Sequence, residues 1–141
     1  MSLAIEGKKP WKGRRKPQQH ERGLHHAVAD YLDLALPNDC FWYPIPNGAN
    51  FDKFRGIVLK HTKQVKAGMP DIGLVLSSGK ATGRAAFIEL KTEANDTTEA
   101  QDMVGSQLTR AGAFVMVCRT VEQVRDFLEV LGVKLKPVRL T

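Results

Sequence analysis

Between residues 19 and 36, Leu24, Val28, Tyr31, Leu32 and Ala35 recur at the spacing of one helical face, which predicts a helix stopped by Pro37-Asn38. Cys40-Phe41-Trp42-Tyr43 predicts a short aromatic strand, which Pro44 and Pro46 place at an edge. Asn47-Gly48 signals a turn. Residues 51–66 carry Phe54, Ile57 and Val58 as isolated apolar points and read as a loop or short helix. After Gly68-Met69-Pro70 the pattern changes. Residues 72–76 and 85–91 read as two strands joined by a glycine-containing hairpin loop over 77–84. Thr97 or Thr98 is placed to cap a helix carrying Ala100, Met103, Val104, Leu108 and Ala111, ended by Gly112. Phe114-Val115-Met116-Val117-Cys118 is continuously apolar and predicts a buried central strand. Thr120 then caps a last helix with Val121, Val124, Phe127, Leu128 and Leu131, and residues 133–141 are expected to add a short strand. Helices and strands interleave around one sheet, so the fold class is α/β or mixed α+β.

Composition narrows this little. At 141 residues, 43% hydrophobic and 26% charged, the chain has the make-up of one globular domain. No apolar run approaches the ~18 residues of a spanning helix, and no apolar block follows the N-terminal lysines. Cys40 and Cys118 lie far apart, which disfavours a disulfide framework or zinc cluster and makes a reducing cytoplasm the expected location. Charge tells more. Lys and Arg total 21 against 15 acids, a net charge of +6. Within residues 1–20, Lys8, Lys9, Lys12, Arg14, Arg15 and Lys16 face only Glu6. Residues 1–18 therefore read as a basic arm and 19–141 as the folded domain. A second basic cluster holds Lys53, Arg55, Lys60, Lys63 and Lys66 with no acid between Lys53 and Pro70 beyond it. Both clusters suit a phosphate backbone, and both equally suit a solvated surface.

Four residues carry candidate chemistry. Glu21 lies seven residues before Val28, which a helix brings to within about 20° of that residue's direction. It faces the core stripe, although an acid in a first helical turn also suits the dipole and solvent there. In Ile88-Glu89-Leu90-Lys91, strand alternation puts Glu89 and Lys91 on one face and Ile88 and Leu90 on the other. Asp71 opens the partner strand of the same hairpin, so antiparallel pairing is expected to bring it towards Glu89 and Lys91. A surface cross-strand ion pair is the simpler alternative.

Gly68-Met69-Pro70-Asp71, a hairpin, and then Ile88-Glu89-Leu90-Lys91 have the form of the PD-(D/E)XK nuclease motif. More narrowly, the chain resembles the virus-type replication-repair nuclease (VRR-NUC) family over about residues 20–128. The matching positions are Glu21, Asn47-Gly48, Gly68 to Asp71, Glu89 with Lys91, and Gln101. The segment from Thr92 to Ala100 contains no glycine, whereas family members often carry one there. Gln101 also fits a capping box, Thr98-Glu99-Ala100-Gln101, in which it simply closes a helix start.

The resemblance implies a restriction-endonuclease-like core, with a central mixed sheet flanked by helices. It also implies a metal-dependent endonuclease acting on branched DNA, with a four-way junction as the leading substrate, bacterial or phage origin, and a homodimer. A flap or duplex DNA endonuclease and a non-catalytic DNA-binding module are the alternatives. Phosphodiester hydrolysis needs charge neutralisation and an activated water, which divalent metals supply. Mg²⁺, or Mn²⁺ in its place, would be held by Asp71 and Glu89 with the Leu90 or Ile88 backbone carbonyl, and by Glu21 directly or through water. Lys91 would orient the attacking water, and Gln101 would touch water or substrate. Asn47 and the two basic clusters would contact DNA. His20, His25, His26 and His61 form no zinc-ligand spacing, and His25-His26 reads as ordinary helix surface.

Overall fold

A computed structural model describes residues 17–46 and 65–140, with the backbone alone for 17–20. Helix α1 (Pro17–Ala35) opens on a proline, whose fixed φ and missing N–H cost nothing in a first turn. Strands β1 (Phe41–Pro44), β2 (Ile72–Val75) and β3 (Ala86–Leu90) follow, then α2 (Glu99–Arg110), β4 (Phe114–Cys118) and α3 (Val121–Val130). The sheet order is β1-β2-β3-β4, with the first two pairings antiparallel and β3–β4 parallel. The described residues thus form a mixed four-stranded sheet with three helices around it, an α/β architecture.

The parallel pair follows from the crossover. A chain leaving β3 through α2 returns alongside it in the same direction, as a strand–helix–strand unit must. Ile72, Leu74, Ile88 and Leu90 point to one face and pack with Val28, Leu32 and Ala35 of α1 and Val124 and Leu128 of α3. These side chains are almost entirely out of water, each fully buried one contributing roughly 1.5–3 kcal/mol. Alternation sends Phe87 and Glu89 to the opposite face, towards α2. β3 is buried on both faces along its whole length, so anything polar it carries must find partners inside the protein.

Two expectations are corrected here. β4 is the outer strand of the described sheet rather than a central one, and Met116 and Val117 are 44% and 37% exposed. Its continuous apolar run reflects a strand in contact with helices on both sides. Such a run does not report whether a further strand pairs beyond it. Residues 133–140 form no strand. Their alternating apolar side chains, Val133, Leu135, Val138 and Leu140, pack against the core as an extended strap. Lys136 N–H donates to Ala35 C=O at 2.8 Å, tying the strap to the end of α1. No helix among the described residues is long and apolar enough to cross a membrane.

Candidate active site

The loop leading into β2 is set by Gly68, whose φ is +82°. A Cβ there would stand 2.4 Å from the Ala100 carbonyl oxygen, so only glycine lets this loop lie on the first turn of α2. That contact brings the α2 N-terminus and the start of β2 together. Pro70 is buried, and Asp71 continues the ladder from it: its N–H donates to Ile88 C=O at 3.1 Å and its C=O accepts from Ile45 N–H at 2.8 Å. In the β2–β3 register Ile72 faces Ile88. One step further along, Asp71 stands opposite Glu89.

Three charged side chains thus meet at one end of the sheet, and all are withdrawn from water: Asp71 8%, Glu89 5% and Lys91 9% exposed. Leu90 N–H donates to Asp71 Oδ2 at 2.8 Å and pins that carboxylate. Lys91 Nζ lies 4.0 Å from Glu89 Oε1, at the outer limit of an ion pair. Lys91 N–H is held in turn by Cys118 C=O at 3.1 Å, so the parallel pairing to β4 fixes where the lysine starts. The exposed salt-bridge alternative does not describe this geometry, because all three groups are buried.

Gln101 forms the capping box read from the sequence and adds a contact to Glu89. Its Oε1 accepts from Thr98 N–H at 2.8 Å and Thr98 Oγ1 accepts from Gln101 N–H at 3.2 Å, completing the capping box. Its Nε2 donates to Glu89 Oε1 at 2.7 Å. The cap therefore aims the amide at the buried acid. Glu21 is half-buried, accepts from Asn95 Nδ2 at 3.4 Å, and its charge is felt at Glu89.

His25 is the residue the sequence reading passed over. Its Nε2 lies 3.8 Å from Asp71 Oδ1. His25 follows Glu21 by four positions, so the two share a helix face, but the sequence does not say that this face meets Asp71. Of the basic residues, Lys66 is described and exposed. Lys8, Lys9, Lys12, Arg14, Arg15, Lys16, Asn47, Lys53, Arg55, Lys60 and Lys63 lie outside the described residues.

Burial and the facing Asp71 carboxylate push the Glu89 pKa from an ordinary 4.5 up to about 8, with Lys91 offsetting part of the rise. Like charges directly opposite across a ladder are unfavourable, and one lysine does not neutralise two acids. The deficit has the sign and place that a divalent cation would fill. Among the described residues no three His, Cys, Asp or Glu side chains converge as metal ligands. Two carboxylates plus backbone oxygen suit Mg²⁺ or Mn²⁺, which keep waters and take substrate phosphate. A closed zinc site needs more protein ligands than this. The two cysteines take no part: both are free thiols, and burial pushes Cys118 up to about 12.

Comparison with protein families matches the chain to the VRR-NUC domain over residues 38–122 of the 141. No curated protein and no solved structure matches the chain. Asp71, Glu89, Lys91 and Gln101 fall within the matched span, and Glu21 and His25 precede it.

Proposed function

The chain belongs to the VRR-NUC domain family and is thereby a nuclease, and we propose that it is a divalent-metal-dependent DNA endonuclease whose centre is Asp71, Glu89 and Lys91. One observation carries this reading: two carboxylates face each other across a buried ladder end, with a lysine 4.0 Å from one of them. That arrangement is costly in a protein that binds nothing there. Asp71 and Glu89 would hold Mg²⁺ or Mn²⁺ together with the Leu90 carbonyl, and Glu21 would reach it directly or through water. When bound, the cation supplies Lewis-acid charge neutralisation at the phosphodiester. Leu90 N–H fixes the Asp71 carboxylate, and the Gln101 amide fixes Glu89, so neither acid has to reorganise as substrate arrives. Lys91 orients the attacking water and stabilises the extra negative charge that develops on the phosphoryl oxygens.

Residues 19–141 would form the nuclease domain. The basic arm (1–18), Asn47 and the cluster from Lys53 to Lys66 would engage the DNA backbone. Branched DNA, with the four-way junction first, is the substrate the family resemblance favours. A homodimer in a bacterial or phage cytoplasm completes that picture.

The test is cleavage of labelled four-way junction, flap and linear duplex with Mg²⁺, each against EDTA. Junction cutting abolished by EDTA is the expected result. Preferential cutting of flap or duplex replaces the substrate assignment. Asp71→Asn retains an oxygen for Leu90 N–H while removing the charge, so it should fold normally and cleave at least 100-fold more slowly. An Asp71→Asn protein cutting at the wild-type rate would remove the site assignment.

A further inference from the structure

A groove of about 420 Å³ opens from Glu89 and runs between α2 and β4. We infer that this groove is the track of one strand's phosphate backbone away from the cleavage point, ending on the Arg110 guanidinium. The inference rests on the nuclease reading above and extends it to the geometry of the bound strand.

The lining of the groove decides its character. At one end stand Glu89 and Gln101, and at the other Ser106, Thr109 and Arg110. On α2 these belong to two adjacent i, i+4 rows, Gln101-Gly105-Thr109 and Asp102-Ser106-Arg110, so one helix face looks along the whole groove. None of the α2 side chains is buried. The row nearest β4 has no bulk at Gly105, where an added Cβ would meet only Val115 Cγ1 at 3.9 Å. The floor from β4 is Val115 and Val117, which presents no competing charge.

Charge runs in the same direction. Within the groove Asp102 accepts from the Thr97 hydroxyl. Arg110 forms no ion pair with any described residue. The Ser106 hydroxyl faces the same space with no internal bond among those described. A cation and a hydroxyl at the far end, beyond the acids Glu89 and Asp102 that stand nearer the site, suit a phosphate diester. The volume takes one strand's backbone and not a whole duplex. From Gln101 to Arg110 the helix rises about 13.5 Å, a span of a few nucleotides of one strand. Arg110 also sits in the last turn of α2, where any cation suits the helix dipole. A melting measurement alone therefore does not separate the two roles.

Binding does. Labelled duplex and single-stranded DNA would be titrated with Ca²⁺ replacing Mg²⁺, across a range of salt concentrations. Arg110→Ala should weaken binding several-fold and lower the magnitude of the log–log salt slope by about 0.9 on duplex, or ~0.7 on single strand. Ser106→Glu, on an exposed helix face, should weaken binding more than Arg110→Ala. Lys134→Ala on the distant strap is the control and should change neither quantity. Replacing single phosphates by neutral methylphosphonates should cost wild-type affinity at one position a few nucleotides from the cleaved bond. That same replacement should cost Arg110→Ala nothing further. Variants that bind DNA with wild-type affinity and slope, in a protein that still cuts, overturn the track and leave the nuclease reading standing. A wild-type protein that neither binds nor cuts DNA overturns both.

Discussion

Gln101 makes two contacts that most residues would divide between them: its carbonyl oxygen closes the α2 cap and its amide nitrogen reaches Glu89 at 2.7 Å. Glutamate serves a capping box as well as glutamine, so Gln101→Glu separates the functions. The variant should keep the cap but replace a donor by a third carboxylate beside Asp71 and Glu89. Cleavage at neutral pH should fall at least tenfold, with weaker Mg²⁺-induced thermal stabilisation if the added charge displaces Glu89. Gln101→Ala should instead lose about 1 kcal/mol of helix stability along with the contact. Wild-type cleavage by Gln101→Glu would leave the glutamine as a cap alone. The same scale explains why His25 escaped sequence reading. A histidine on an amphipathic helix is usually surface, and only the placement of α1 against the ladder end brings its Nε2 to 3.8 Å from Asp71.

At the level of elements, the site depends on a loop lying on a helix end. Gly68 combines a left-handed φ with a backbone oxygen 2.4 Å from where a Cβ would be. The obstacle is main chain, not a side chain that can rotate away. Gly68→Ala should therefore cost about 2 kcal/mol or more, read as a lowered urea midpoint with unchanged slope. It should also slow cleavage, because the α2 N-terminus carries Gln101. An alanine variant as stable as wild type would show that the loop is free to shift. The β4 strand teaches a different lesson. Its composition announces an apolar strand, yet nothing in a run of five apolar residues gives its parallel pairing to β3 or distinguishes an inner from an outer position.

Across the whole molecule, the buried acids couple stability to pH. In the unfolded chain Glu89 ionises near 4.5, whereas in the metal-free fold it holds its proton to about 8. Between those values the unfolded state binds fewer protons. The contribution of Glu89 to stability is therefore complete below about pH 4.5 and is lost as pH rises towards 8, by at most ~1.4 kcal/mol per pH unit. Melting curves in EDTA at several pH values should show this loss, and Glu89→Gln should flatten it. Adding Mg²⁺ should also oppose it, because a bound cation favours the ionised carboxylate. A metal-free wild-type protein with the same pH dependence as Glu89→Gln would contradict the burial argument.

Much of this was written in the chain itself. Apolar periodicity marks α1, α2 and α3, the capping threonines mark where α2 and α3 begin, and turn residues isolate the β2–β3 hairpin. Antiparallel pairing then obliges Asp71 to approach Glu89 and Lys91, because the start of one hairpin strand must lie beside the end of the other. These are local or nearly local constraints, carried by spacing within a few tens of residues. What tertiary structure alone decided involves elements distant along the chain: Glu21 and His25 on α1, Asn95 after β3, the outer place of β4, and the strap from Val133 anchored to Ala35. Hydrophobic burial is non-directional. It dictates that α1 must cover the sheet, but the angle and height at which it does so come from side chains interlocking across the whole core, and that choice determines which polar groups reach the two acids.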